Sequence, residues 1–259
     1  MELIKPIVKV GNSAGIILPK EWLNGMARVE LIEKPINIEK ELFEILSEFL
    51  KDIEGIYIVG SYGRGDETSN SDVDILVVTN KTNKRIEQGK YNLILISKDK
   101  LLETIHQNAL PLLPMIIEAK TLLNESLLKS YSKIALTRKN LDFYFHSVES
   151  ALNVCKESIK LDKLENKRVS ESSLAYSLVL NLRSVYIINS IIKNKRWSTS
   201  GLQALINKIG GSLDIYKNYI EIKNNKKPQS EISIDIAEKL INYIEVNLGT
   251  HKRWARRKR

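Results

Sequence analysis

The sequence predicts an α+β protein in three parts: a small β-hairpin domain, a mixed-sheet α/β domain and an α-helical bundle. Short apolar strands around Gly and Asn turns open the chain, and two further apolar strands flank a Gly- and Asp-rich segment. From about residue 132 onward, apolar residues recur at helical spacing. We expect the three parts at 1–35, 36–128 and 132–250, followed by a basic tail at 251–259.

The first part alternates strands and turns. A strand at 7–10 leads into a Gly-Asn-Ser turn and a second short strand, and 19–23 is typical of a helical turn before a closing strand at 28–32. A segment of about 35 residues is too short to enclose a hydrophobic core of its own. We therefore expect it to need a partner.

This segment resembles the swapped-hairpin domains of the AbrB/MazE type in two motifs, Val10-Gly11-Asn12-Ser13 and Leu18-Pro19-Lys20. The resemblance implies a homodimer that exchanges strands and binds DNA. The candidate DNA contacts are Lys9, Asn12, Lys20 and Arg28. Four glutamates nearly cancel the five Lys and Arg residues of the segment, so a dimerisation hairpin without DNA binding is the alternative.

A Gly-Ser pair and an Asp-x-Asp pair stand between apolar strands at 56–59 and 73–78, after an amphipathic helix at 37–53. Residues two apart in a strand point the same way, so Asp72 and Asp74 share a face. Paired carboxylates suit a hard cation such as Mg²⁺, whose shell a substrate phosphate completes. The pattern favours metal-dependent phosphate chemistry over a simple Gly- and Asn-rich turn.

The same segment resembles the signature of the DNA polymerase beta-like nucleotidyltransferases, especially their minimal and antibiotic-modifying branches. The matching residues are Gly60, Ser61, Arg64, Gly65, Ser71, Asp72 and Asp74. The resemblance implies that the two aspartates are catalytic and hold Mg²⁺ or Mn²⁺. It implies that the glycine-serine segment, through Arg64 and Gly65, binds the phosphates of ATP. For Arg64, a solvated turn residue is an equal alternative.

The third carboxylate usual in that family is missing from the place where the resemblance predicts it. The next apolar strand, at 90–96, carries Asn92 there. An amide ligates weakly or orients a hydroxyl, but it accepts no proton at neutral pH. Glu87 is nearby and would substitute in a shifted register, although it fits a solvated turn better. A domain that binds nucleotide without turning it over is therefore a second interpretation.

The rest of the chain is helical in pattern, with long amphipathic stretches at 136–161 and 170–193 and three shorter helices after them. This array resembles the C-terminal bundle that shapes the acceptor site of larger nucleotidyltransferases. Arg183 and several tyrosines either line a pocket or pack within the bundle. The tail at 252–259 holds six basic groups and no acid, so it either binds nucleic acid or is a disordered solubilising end.

The chain has no run of eighteen apolar residues, no start typical of a secreted protein and a single cysteine, Cys155. We therefore expect a cytoplasmic protein. The expected function is an Mg²⁺-dependent enzyme that moves AMP from ATP to a hydroxyl of a protein, an RNA or a small molecule, in a toxin–antitoxin-like setting. The alternative is a DNA-binding regulator or antitoxin whose nucleotidyltransferase domain binds nucleotide with little or no catalysis.

Overall fold

The computed structural model describes residues 3–31, 37–69, 71–228 and 231–258. The chain divides into two compact units, Met1–Ile45 and Leu46–Arg259. The boundaries expected from the sequence stay a prediction.

The first unit contains a two-stranded antiparallel hairpin. Strand β1 (Ile7–Val10) pairs with β2 (Ser13–Ile16), and Val10 lies opposite Ser13. Gly11 has a φ of +59°, the conformation that a two-residue hairpin turn needs and that glycine adopts without strain. A 3₁₀ turn at Lys20–Trp22 and helix α1 at Ile38–Ile45 follow.

The closing strand predicted at 28–32 is wrong for the part that the structure describes. Residues 28–31 belong to no strand, and Ile32 lies outside the described residues. A strand needs a neighbour to pair with its backbone, and the β1–β2 hairpin is closed within one chain. Exchange of strands with a second copy stays a prediction.

The hairpin region lacks a core. Among the described residues 3–31, no side chain is buried. Large apolar side chains are exposed instead, including Ile17 at 70%, Leu23 at 73% and Met26, which is fully exposed. Segments of this length cannot bury enough apolar surface by themselves, which is the physical reason for the exposure of these side chains. The partner that the sequence analysis expects stays a prediction.

The second unit is built on a five-stranded mixed sheet. Its strands are β3 (Ile53–Val59), β4 (Val73–Thr79), β5 (Lys84–Gln88), β6 (Tyr91–Ser97) and β7 (Lys120–Leu123). The order across the sheet is β5-β6-β4-β3-β7, in which β4 and β6 are parallel and the other neighbours are antiparallel. Continuous apolar runs place β3, β4 and β6 in the interior, whereas the largely charged β5 forms an edge.

Short helices connect the strands, and a bundle follows the sheet. The helices of this unit are α2 (Gly60–Arg64), α3 (Lys98–Gln107), α4 (Leu113–Glu118), α5 (Glu125–Ser132), α6 (Arg138–Leu164), α7 (Ser172–Ile192), α8 (Thr199–Gly210), α9 (Asp214–Lys223) and α10 (Ile234–Arg257). Two short strands, β8 (Val169–Ser170) and β9 (Ile232–Ser233), pair antiparallel beside the bundle. The long helices lie where the 3.6-residue periodicity predicted them.

One continuous core joins the sheet to the bundle. Side chains of β3 and β4 such as Tyr57 and Leu76 belong to the same buried cluster as Leu141 of α6 and Leu182 of α7. Helix α7 is long and apolar enough to cross a bilayer by length and composition alone. Ten of its residues are buried, and it packs against α6, α9 and α10, which is the placement of a core helix.

The disordered end considered for residues 252–259 is wrong for the part that is described. Residues 252–257 are the last turns of α10. Trp254 packs against the core, Ala255 is buried, and Lys252 pairs with Glu149 of α6. Apolar residues at helical spacing within the basic run extend the buried stripe of α10, which the count of charges concealed.

Candidate active site

The Gly-Ser turn lies against the carboxylate of Asp74. Strand β3 ends at Val59, which pairs with Asp74 of β4. Gly60 follows with a φ of +66°, and a Cβ placed there would lie 2.4 Å from Asp74 Oδ2. Glycine is therefore required twice here, for the backbone conformation and for the space that the carboxylate occupies.

The two aspartates flank a buried residue. Val73 is fully buried, so alternation along β4 directs Asp72 and Asp74 to the other side. Asp72 is exposed just before the strand and Asp74 is half-buried within it. Burial raises the pKa of Asp74, and the charge of Asp72 raises it further. Two carboxylates on one face repel each other, and a divalent cation bound to their oxygens would relieve that repulsion.

Asn92 lies next to Asp74 in the sheet. The two residues are register partners in the parallel pair β4–β6, and Asn92 Nδ2 donates to Asp74 Oδ1 over 3.5 Å. This hydrogen bond lowers the pKa of Asp74 and opposes the effect of burial. The amide therefore lies directly beside Asp74, and its role as a third-ligand position stays a prediction.

Two basic side chains from the bundle act on Asp74. The charges of Lys223, at the end of α9, and Arg183, on α7, both lower its pKa. Arg183 and Lys223 are exposed. The sequence suggested Arg183 as one of two alternatives and gave no signal for Lys223, because more than a hundred residues separate both from the aspartates. Positive charges near a pair of acids suit an anionic ligand held together with a cation.

The tyrosines of α7 and α9 pack within the bundle, which is one of the two alternatives that the sequence left open. Tyr176 stacks on Tyr219 with ring centroids 5.4 Å apart, and Tyr216 lies 5.9 Å from Tyr219. Tyr219 belongs to the core, and Tyr176, Tyr186 and Tyr216 pack against it.

Arg64 is held between two carboxylates. Its guanidinium donates to Glu118 Oε2 at 2.8 Å and pairs with Asp66 Oδ1 at 3.0 Å, and the side chain is 13% exposed. The solvated-turn alternative is therefore wrong. With two acids beside it, the Arg64 charge is neutralised locally, and the geometry favours positioning of the loop over a direct phosphate contact.

Glu118 connects three parts of the unit and was missed in the sequence. It is 8% exposed and accepts from the Gly60 amide at 2.9 Å, from Arg64, and from Trp197 Nε1 at 2.9 Å. Burial raises the pKa of Glu118, while Arg64, Gly60 and Trp197 oppose that rise. The signal available was a single acid inside an apolar stretch at 113–123, which requires a partner when buried.

The other residues of the loop complete its turn. Ser61 is half-buried, its carbonyl accepts from the Gly65 amide at 2.8 Å, and no described residue hydrogen-bonds its hydroxyl. Gly65 ends α2 with a φ of +78°. Asp66 Oδ2 accepts from the Thr199 amide at 2.6 Å, which ties the end of this loop to the start of α8.

Glu87 lies in a strand and not in the turn that the sequence favoured. It belongs to the edge strand β5 and pairs directly with Asn92 of β6. Its side chain is exposed because β5 has a neighbour on one side alone. A cavity of about 300 Å³ lies at this end of the sheet, and its lining includes Asp74, Asn92, Glu87, Arg85 and Met115.

The donor set fits a hard cation that the substrate helps to ligate. Within the described ranges, no group of three or more His, Cys, Asp or Glu side chains is arranged to hold a metal ion by itself. Asp72 and Asp74 supply carboxylate oxygens, which Mg²⁺ prefers, and phosphate oxygens would complete the shell. The chemistry of these donors is therefore compatible with the divalent ion that the sequence implied.

The candidate DNA contacts all belong to the first unit and are exposed. Lys9 lies on β1, Asn12 in the hairpin turn, Lys20 in the 3₁₀ turn, and Arg28 outside regular structure. Their role in DNA binding stays a prediction.

Residues 39–134 match the nucleotidyltransferase domain family. This match covers the sheet, the Gly-Ser turn and both aspartates. The chain therefore carries a nucleotidyltransferase domain. The hairpin lies before the matched region, and its resemblance to AbrB/MazE-type domains stays a prediction.

Among curated proteins, the chain is similar to a provisionally named protein adenylyltransferase of Methanocaldococcus jannaschii, with 34% identity over 93 residues. The match covers 32% of this chain and 60% of that relative, so the chain spans three fifths of the relative's length. Among solved structures, a nucleotidyltransferase-like protein of Exiguobacterium sibiricum is 16% identical with a TM-score of 0.38, over 83% of this chain and 75% of the other. A spectinomycin adenyltransferase of Enterococcus faecialis, solved with ATP and spectinomycin, is 14% identical with a TM-score of 0.42, over 82% and 98%.

Proposed function

We propose that the chain is an Mg²⁺-dependent adenylyltransferase that moves AMP from ATP to a hydroxyl of an acceptor. The observation that carries the proposal is the fit of the Asp74 carboxylate under Gly60, beside Asp72 and within the nucleotidyltransferase match. The name of the archaeal relative favours a protein side chain as the acceptor over an RNA or a small molecule.

Each group of the site has a role in this reaction. Asp72 and Asp74 would hold the divalent ion, which neutralises phosphate charge when bound. The Ser61 hydroxyl, which no described residue engages, is available to the triphosphate. Arg183 and Lys223 supply positive charge near enough to lower the pKa of Asp74.

The reaction consists of positioning and charge neutralisation. The acceptor oxygen bonds to the α-phosphorus while the bond to the β-phosphate bridging oxygen breaks, and pyrophosphate leaves. Glu118 and Arg64 take part indirectly, because they fix the backbone of Gly60 against Asp74. The site therefore supports transfer by holding the reactants in line rather than by covalent catalysis.

The test is label transfer from [α-³²P]ATP with Mg²⁺ to proteins of a cell lysate. Asp72→Asn with Asp74→Asn should reduce transfer about 1,000-fold or more while the fold is kept, because both proposed ligands are lost. Asp235→Asn, an exposed aspartate of α10 paired with Lys239, is the matched control and should label like the wild type. Equal labelling by the double variant would reject the site assignment.

A second proposed function concerns the hairpin, and the absence of any buried side chain among the described residues 3–31 favours it. A second copy of this chain would cover the exposed apolar side chains and form a homodimer. The basic and amide side chains named above would then face DNA, as in a regulator or antitoxin. Retention of labelled promoter DNA by the wild type, lost on Lys9→Ala with Lys20→Ala and Arg28→Ala, would support this role. Binding of ATP without any transfer would favour the regulator over the enzyme.

A further inference from the structure

The sheet register places Glu87 in line with the proposed catalytic acid. Asp74 of β4 pairs with Asn92 of β6, and Asn92 pairs with Glu87 of the edge strand β5. Directly paired residues of neighbouring strands project to the same face of a sheet. Glu87 therefore shares the face of Asp74, two strands away.

The cavity joins these residues into one space. Its volume of about 300 Å³ is lined by Asp74, Asn92 and Glu87, with Arg85 two residues before Glu87 on the same strand face. Neighbouring strands are about 4.8 Å apart, so roughly 10 Å separates the backbones of Asp74 and Glu87. That gap accommodates the reacting oxygen and phosphorus between the two side chains.

The other polar groups of this row are unsuited to accept a proton. Asn92 carries an amide, which has no basic site at neutral pH. Asp74 receives the Asn92 hydrogen bond and has the role of holding the cation under the proposed function. The carboxylate of Glu87 has no hydrogen bond or ion pair with any residue of the described ranges, and it is open to the cavity.

We propose that Glu87 is the general base of the transfer reaction and takes the place of an acid at Asn92. This inference rests on the proposed function. The Glu87 carboxylate accepts the proton of the acceptor hydroxyl as that oxygen bonds to the α-phosphorus of ATP. The bond between the α-phosphorus and the bridging oxygen breaks, and pyrophosphate leaves with the electron pair.

The experiment compares full-length variants in the label-transfer assay. Glu87→Gln should reduce kcat about 100-fold or more, which is the usual contribution of a general base. Its affinity for the α,β-methylene analogue of ATP, measured by titration calorimetry, should stay within about twofold of the wild type, because the base contacts the acceptor and not the nucleotide. Glu157→Gln, an exposed glutamate of α6, is the matched control and should leave both quantities unchanged.

Chemical rescue separates a base from a structural residue. Glu87→Ala leaves room in the cavity for a small carboxylate, so sodium formate should restore its transfer at least about tenfold. Glu87→Gln fills that room and should not respond to formate. Unfolding midpoints of all variants should match that of the wild type, since Glu87 is exposed on an edge strand.

The outcomes distinguish this inference from the proposed function. Transfer by Glu87→Gln at the wild-type rate would overturn the role of Glu87 and leave the adenylyltransferase proposal intact. A parallel loss of analogue affinity and transfer would also overturn it, because it would show a nucleotide contact. No transfer by the wild type would overturn both.

Discussion

The hairpin region and the sheet-and-bundle unit differ in the burial of their apolar side chains. The described residues 3–31 bury none of theirs, whereas residues 46–258 enclose a core that runs from the sheet into the bundle. Burial fixes side-chain geometry, so a precise reaction site is possible in the second unit without a partner. The hairpin lacks such fixed surroundings, and under the second proposed function a second copy would supply them. The contrast therefore places the candidate reaction site in the second unit and leaves association through the hairpin as a proposal.

The largest expected effect on stability is that of replacing Glu118 in the second unit. Glu118→Ala removes the acceptor of three N–H groups and leaves Arg64 with Asp66 alone. We expect the free energy of unfolding to fall by about 3 kcal/mol, because a buried ion pair loses one member. Urea unfolding measures this, and Glu157→Ala, which changes an exposed side chain of α6, is the control. A loss below about 0.5 kcal/mol would contradict the role of Glu118 as the connecting residue.

The next effect is a pH dependence of stability, which we expect from the buried His251 of the second unit. His251 is buried, with Nδ1 2.9 Å from the Tyr144 hydroxyl and Nε2 2.9 Å from Asn189 Oδ1. Burial, aided by the charge of Lys193, lowers the pKa of His251 from 6.5 to about 4. The unfolded chain therefore binds the proton more tightly, and stability is lost as the pH falls from about 6.5 toward about 4.

Between pH 7 and pH 5 this histidine should remove about 2 kcal/mol of stability. Urea unfolding at both pH values measures the loss. His251→Gln cannot be protonated, so its loss over the same interval should be smaller by that amount. An identical pH dependence of the two proteins would show that His251 is not buried as a neutral imidazole.

A smaller effect on stability, with a large effect on activity, is expected at the Gly-Ser turn. Gly60→Ala forces a Cβ into the space of Asp74 Oδ2 at a φ of +66°. The strained backbone should cost about 1 to 2 kcal/mol, and displacement of the carboxylate should reduce transfer about 100-fold. Gly89→Ala, where φ is +59° but no atom lies within 4 Å of the added Cβ, separates the two causes. Its stability should fall similarly, with transfer retained.

The smallest effect on the fold is expected in the hairpin region. Ile17→Asp with Leu23→Asp changes two exposed side chains, so the unfolding of the second unit should shift by less than about 0.5 kcal/mol. The same substitutions should shift the sedimentation equilibrium from dimer to monomer, because charges would be buried at the proposed interface. A wild type that is monomeric at all concentrations would contradict association through this region.

Local patterns explain what could be predicted from the sequence. The alternation around Val73 and the Gly-Ser pair led to both aspartates, and the periodicity after residue 132 led to the long helices. The family resemblance singled out Asn92, and the structure pairs this residue with Asp74 across β4 and β6, while its role as a third-ligand position stays a prediction.

Contacts between distant parts of the chain could not be predicted. Glu118 reaches back 58 residues to Gly60, and Lys223 approaches Asp74 from the bundle. No local sequence pattern predicts either contact. The edge strand β5 was missed for a different reason, because its Lys-Arg-Ile-Glu-Gln sequence has a single apolar residue and resembles a solvated turn. Tertiary pairing with β6 decides its structure.

The two hydrogen bonds at the start of α8 limit how this unit can move. Trp197 donates to Glu118, and the Thr199 amide donates to Asp66, so one loop of the bundle is tied to both ends of the Gly-Ser turn. A hinge opening between the sheet and α8 would break both hydrogen bonds and release the backbone of the Gly-Ser turn. Under the proposed function, an acceptor that displaced this loop would therefore also shift the turn that is expected to bind ATP.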